Sequence, residues 1–117
     1  MYEYKCVILR VVDGISVDVD IDLGFDIWMH NERIRLFRTD TPETRTSDEV
    51  EKILKNFDKD YVEKIMPVGS EQILKTLKDA DGKYARILGD FIVDDKSLVE
   101  KMVQESFQAG QTNETNS

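Results

Sequence analysis

The feature that most constrains this chain is the alternation of apolar residues over its first 21 positions. Tyr2, Tyr4, Cys6 and Ile8 recur every second residue, Val11–Val12 follow, and Ile15, Val17, Val19 and Ile21 resume the same spacing. A period of two is that of an extended strand with one buried face. Asp13-Gly14 between the two runs is turn chemistry. The segment therefore predicts a strand over 2–12, a tight turn, and a second strand from Ile15. Within this hairpin Ile15 is unusual: it is bulky and apolar, yet Asp13, Asp18, Asp20 and Asp22 stand around it.

The rest of the chain extends the pattern. A longer connection over 22–32 carries Gly24 and the His30-Asn31 turn signal, and its FDIWM stretch can extend the hairpin. RIRLFR (33–38) alternates Ile34 and Leu36 with Arg33 and Arg35, which predicts a third strand. After the loop TDTPETRTS, Thr46 and Glu49 are spaced as a capping box. Val50, Ile53, Leu54, Phe57, Tyr61, Val62, Ile65 and Met66 then form one stripe of a long helix, ended by Pro67 and Gly69. Residues 70–78 and 83–93 read as strands about an Asp79-Ala80-Asp81-Gly82 turn. Ser97 and Glu100 suggest another capping box, opening a short amphipathic helix that ends at Ala109-Gly110. The expected fold class is α+β, mainly β. It is a five-stranded OB-type barrel with a long helix between strands 3 and 4 and a short C-terminal helix. An open α+β sheet is the competing arrangement. One domain over 1–110 and a polar, disordered tail over 111–117 complete the expectation.

Charge narrows the functions open to such a fold. The net charge is −8. Proteins that coat nucleic acid non-specifically need a basic surface that displaces counterions from phosphates, so that class is excluded, although a local basic pocket is not. The acidity also suits a basic host protein as partner. Nothing apolar approaches the ~20 residues of a membrane span, and MYEYKCVILR lacks the features of a signal peptide, so a cytoplasmic location and no membrane partner are expected. Cys6 is the only cysteine and its alternating context marks a buried structural thiol. His30 has no second histidine or cysteine at metal-ligand spacing and reads as a turn residue. Trp28 reads as a packing anchor.

Three segments carry a more specific signal: Asp13-Gly14, RIRLFRTDTPE (33–43) and GKYARILGDFIVD (82–94). In this order they resemble the thermonuclease, or staphylococcal nuclease-like, family over about residues 3–108, with phage and bacterial members closest in character. The resemblance implies an OB-fold barrel with helices, calcium as cofactor, and cleavage of phosphodiester bonds in DNA and RNA. It implies that Arg35 and Arg86 contact the scissile phosphate, that Glu43 acts as general base, and that Lys83 and Tyr84 contact nucleotide phosphate. Arginine suits the phosphate role because its planar fork of donors matches phosphate oxygens. Asp40 and the Thr41 carbonyl match calcium ligands, and Asp13 matches a nearby outer acid.

The departures from the family pattern bear on chemistry more than on fold. The usual Asp-Gly-Asp-Thr is here Asp13-Gly14-Ile15-Ser16, so Ile15 stands where a calcium-binding aspartate is expected. Calcium takes about six to eight oxygen ligands, and isoleucine supplies none. Arg38 and Thr39 replace apolar residues before Asp-Thr-Pro-Glu, Ala85 replaces a glycine, and the C-terminal stretch ends without an aromatic residue. The expected function is therefore a nuclease-like domain with a degenerate metal site. It binds nucleotide or nucleic-acid phosphates through Arg35, Lys83, Tyr84 and Arg86 without efficient cleavage and needs no cofactor. The alternatives are an active calcium-dependent nuclease and an acidic module that binds a host protein.

Overall fold

A strand with one buried face folds back on itself wherever the chain supplies a turn, and the N-terminal third does this twice. In the computed structural model, which describes residues 2–38, 46–77 and 87–116 (with the side chains of Ser47 and 109–116 outside the description), β1 (Tyr2–Val11) pairs antiparallel with β2 (Ser16–Asp22). β2 pairs antiparallel with β3 (Trp28–Leu36). β1 also pairs with β4 (Glu71–Thr76), and β4 with β5 (Ile87–Val93), both antiparallel. A short parallel match of Ile34–Leu36 with Ile87–Gly89 joins β3 to β5. That match turns the sheet into a closed five-stranded barrel of OB-like order, and β6 (Lys96–Ser97) extends its rim on β5. The open-sheet alternative is thereby set aside.

Two bulges explain how the sequence pattern meets the barrel. Buried positions in β1 fall at Cys6 and Ile8, then at Val11, a change of parity. The β1–β2 register shifts between Ile8 and Arg10, and one extra residue there returns Val11 to the inner face. The second shift lies between Val19 and Ile21, opposite Asn31, whose φ is 55°. Asp20 Oδ1 accepts the Asn31 N–H at 2.8 Å and so stabilises this left-handed residue. Ile15, Val17, Val19 and Ile21 are all buried, as the alternation requires.

The helices close the barrel from outside. α1 (Ser47–Lys55) is capped by Thr46, whose Oγ1 accepts the Glu49 N–H at 3.2 Å. The single long helix expected over 46–66 is instead two. Asn56 and Phe57 donate back to Ile53 and Leu54, which tightens the last turn of α1, and Asp58 then caps α2 (Lys59–Ile65) through the Tyr61 N–H at 3.1 Å. Both helices bury the same stripe, Val50 and Leu54 from α1 and Val62 from α2, with Met66 just beyond, which is why the periodicity runs through the break. α3 (Leu98–Asn116) buries Leu98, Val99, Met102 and Val103. Its backbone continues through Ala109-Gly110, where the sequence reading ends it. A lone glycine costs a helix only ~1 kcal/mol and does not stop it. The Asp90 carboxylate, itself buried, accepts the Val99 N–H at 3.1 Å and the Ser97 hydroxyl, tying the start of α3 to β5.

Three further expectations are corrected or met. β3 begins at Trp28, so residues 28–32 of the stretch read as a connection are strand. Trp28 is no core anchor: it is exposed near the hairpin tip, stacked on His30 with ring centroids 6.5 Å apart. Cys6 is buried, and desolvation pushes its thiol up to about 12, which fits a structural and unreactive group. Among the described residues no helix is long and apolar enough to cross a membrane.

Asp18 on the outer side of β2 is buried beneath Arg10 and Arg33, at 3.2 and 2.8 Å. The hydrogen bond from Arg33 holds its carboxyl below the usual range, against the opposing effect of burial. The folded-state pKa is thus below the unfolded one. Stabilisation is complete above the unfolded carboxylate range near pH ~4 and is lost as the pH falls through the folded value. Asp18→Asn is expected to lower stability by about 1–2 kcal/mol at pH 7, a modest figure because both arginines are largely exposed. The difference from wild type should vanish in urea titrations carried well below pH 4.

Candidate functional site

Strand pairing brings the β1–β2 turn and the C-terminal end of β3 side by side. Ser16 is the register partner of Arg35, and the Leu36 N–H donates to the Ile15 carbonyl at 2.8 Å. α1 packs over the turn. A Cβ at Gly14 would run into the Leu54 and Phe57 carbonyl oxygens, so only glycine allows the turn to reach the end of α1. The β1–β2 turn, with Asp13 and Ile15, therefore stands beside Arg35 on β3. Asp40, Thr41, Glu43, Lys83, Tyr84 and Arg86 lie outside the described residues.

Ile15 occupies this turn as a core residue. It is 6% exposed and belongs to the same buried cluster as Val17, Ile34, Val50 and Leu54. Its N–H donates to Asp13 Oδ1 at 2.9 Å, and the Ser16 N–H donates to the same oxygen at 2.8 Å. Asp13 thus acts as an Asx-turn residue that satisfies two backbone donors. A calcium ion needs about six to eight oxygens. The described side of the site offers it one carboxylate, with one oxygen already engaged by the turn, and a hydrocarbon wall. Among the described residues no cluster of three or more His, Cys, Asp or Glu could hold a metal ion. Asp40 and Thr41, the other expected calcium ligands, lie outside the described residues. Asp18, on the other parity, is committed to Arg10 and Arg33.

The cationic part is built differently. Arg35 is about one-quarter exposed and forms an ion pair with Glu51 of α1. Lys55, one turn further along α1, contacts the same Glu51 carboxylate at 3.1 Å. Lys55 first, with Arg35 adding to it, holds the Glu51 carboxyl below the usual carboxylate range. Arg38 reaches Glu100 of α3 at 3.1 Å. Between Arg35, Arg38, Val50, Glu51 and Leu54 remains a cavity of about 30 Å³, enough for about one water. Glu51 therefore engages the Arg35 guanidinium at the lining of this cavity. Sequence reasoning missed Glu51 and Glu100. The only local signal was the Glu51/Lys55 spacing of four, which explains a helix-surface pair and says nothing of Arg35.

The burial of Ile15 sets an expected result. Replacing it by aspartate removes about 2 kcal/mol of apolar burial and forces a carboxylate against the core. Ile15→Asp should lower stability by about 3–4 kcal/mol in urea titration, and Ile15→Val by about 1 kcal/mol. Calcium should not restore the Ile15→Asp midpoint. Recovery by calcium would show that the turn can still complete a metal cage.

In comparison with known families and curated proteins, the chain matches no family model and no curated sequence.

Proposed function

We propose that this chain is a nuclease-like OB domain that binds the phosphate of a nucleotide or nucleic acid and does not cleave it efficiently. The observation that carries this reading is the juxtaposition of the turn that holds Ile15 with Arg35 on β3. At the turn, the position where the family pattern calls for a metal carboxylate is sealed into the core. On the neighbouring strand, a partly exposed guanidinium has its charge held by the partly exposed Glu51 carboxylate. Metal-assisted cleavage needs an ion to clamp phosphate and activate water. Phosphate binding needs only a correctly placed fork of donors. In this reading Lys83, Tyr84 and Arg86 join Arg35 around the phosphate. A basic host protein as partner remains the reading favoured by the acidity of the chain.

Glu51 gives the proposal a specific energetic signature. A ligand phosphate replaces the Glu51 carboxylate at Arg35, so part of its binding free energy is offset by breaking that pair. For a partly exposed pair the offset is about 1 kcal/mol, or roughly fivefold in affinity. Calorimetry with nucleoside 3′,5′-bisphosphates and with cyclic dinucleotides is expected to show binding that falls at least tenfold in Arg35→Ala and rises roughly fivefold in Glu51→Gln. A calcium-supplemented cleavage assay on single-stranded DNA should give wild-type turnover no higher than Glu43→Ala. Binding that is absent or indifferent to Arg35 overturns the reading. Turnover that is robust and lost in Glu43→Ala establishes an active nuclease instead.

A further inference from the structure

The other end of the β2–β3 ribbon carries a feature that phosphate binding does not use. Leu23, Phe25, Ile27 and Trp28 all project into solvent there, with Phe25 98% and Ile27 57% exposed. Isolated apolar residues on a surface are ordinary, but four exposed within six positions make this end of the ribbon predominantly apolar. Gly24, Phe25 and Asp26 have φ of 87°, 55° and 61°. Left-handed backbone is unfavourable for a bulky side chain such as phenylalanine, and nothing in the core rewards it at this position. The strain is maintained by a closed set of hydrogen bonds. The Leu23 N–H donates to the Ile27 carbonyl at 2.8 Å, the Ile27 N–H to the Gly24 carbonyl at 2.9 Å, and the Gly24 N–H to Asp22 Oδ1 at 2.8 Å. The ring is thus presented outward by an organised loop, the condition under which a contact residue loses little entropy on binding.

The geometry points to this tip as a docking wedge for a protein partner that presents an apolar pocket rimmed by lysine or arginine. The charge around the tip selects that occupant. Residues 20–28 contain Asp20, Asp22 and Asp26 and no lysine or arginine. One lysine, Lys5, stands across from Asp22 on β1, while Arg10 and Arg33 are paired with Asp18. A second copy of the chain would bring this acidic rim against itself, with −8 on each partner. An anionic membrane surface attracts basic segments and repels this one. Strand addition at the β3 edge is opposed by the bulge and the left-handed Asn31. A cationic pocket satisfies both elements at once, with Phe25 as the buried anchor and the aspartates steering approach. The tip lies roughly 20 Å along β3 from Arg35, so the two surfaces are separable.

The test replaces Phe25 with a photo-cross-linking phenylalanine analogue in the full chain, with the same analogue at the exposed Lys59 as control, in lysate of the source cells. The protein cross-linked at position 25 is identified, purified and titrated with unmodified chain. Its affinity is expected to fall at least thirtyfold in Phe25→Ser, and at least fivefold in Asp22→Asn/Asp26→Asn or on raising salt. Arg35→Ala should leave it unchanged, so failure here is distinct from failure of phosphate binding. Phe25→Gly should raise the urea midpoint, because glycine accepts the left-handed backbone, while it abolishes docking. The proposal is overturned if position 25 cross-links no more than position 59, or if affinity ignores Phe25→Ser or the aspartates. It is equally overturned if Trp28 fluorescence shifts with phosphatidylcholine or phosphatidylserine vesicles, or if sedimentation shows a wild-type dimer that Phe25→Ser dissolves.

Discussion

The contact between the β1–β2 turn and the end of α1 fixes most of what this protein can do. Gly14 lies against the Leu54 and Phe57 carbonyls, and no side chain fits between them. With the turn held there, Ile15 enters the core and its carbonyl receives the Leu36 N–H, which sets the height of β3. β3 at that height meets β5 in parallel and closes the barrel. The same contact brings Glu51, one turn earlier in α1 than Leu54, to Arg35. A packing constraint at one glycine therefore determines both the closure of the fold and the electrostatics of the candidate site.

The distribution of charge follows a consistent rule across the described residues. Arg10 and Arg33 share Asp18, Arg35 and Lys55 share Glu51, and Arg38 meets Glu100. The described arginines are thus answered from within the chain, and the acidic excess is carried elsewhere on the surface. A barrel of this kind has little long-range attraction for a polyanion. The proposed phosphate binding asks only that one internal carboxylate yield its place. On that proposal a small phosphorylated ligand suits the site better than a long nucleic acid that would have to cover acidic surface.

The β2–β3 ribbon separates two requirements. At the Arg35 end it is locked into the barrel by pairing on both sides and by α1. Beyond the bulge at Asn31 its β3 edge has no pairing partner among the described residues, so its loop is free to adopt a shape set by local hydrogen bonds. Backbone strain can persist there because the rigid end of the same strands anchors the loop's flanks. Strain of this kind is often found where a surface contacts a ligand or partner.

How much was legible in the sequence depended on whether the cause was local. The period-two runs fixed the strands, because a side chain's face follows from parity alone, and Thr46 marked the start of α1 because a cap needs only its own next three residues. The break between α1 and α2 was hidden, since both helices bury one stripe and Asp58 could be read as an ordinary surface acid. Trp28 was misread because aromatic character says nothing of which side of a ribbon it occupies. The identity of Ile15 was plain in the chain and its alternation with Val17 and Val19 already called for burial, but the neighbours that bury it, Val50 and Leu54 among them, come from α1 and were set by packing. Likewise, Arg35 was legible as a cation on β3, whereas its carboxylate partner comes from sixteen residues away and was chosen by the approach of α1 to β3. Sequence determined the elements and the chemical types available. Tertiary structure decided which charges meet, because that depends on the relative placement of elements whose separation in the chain carries no electrostatic information.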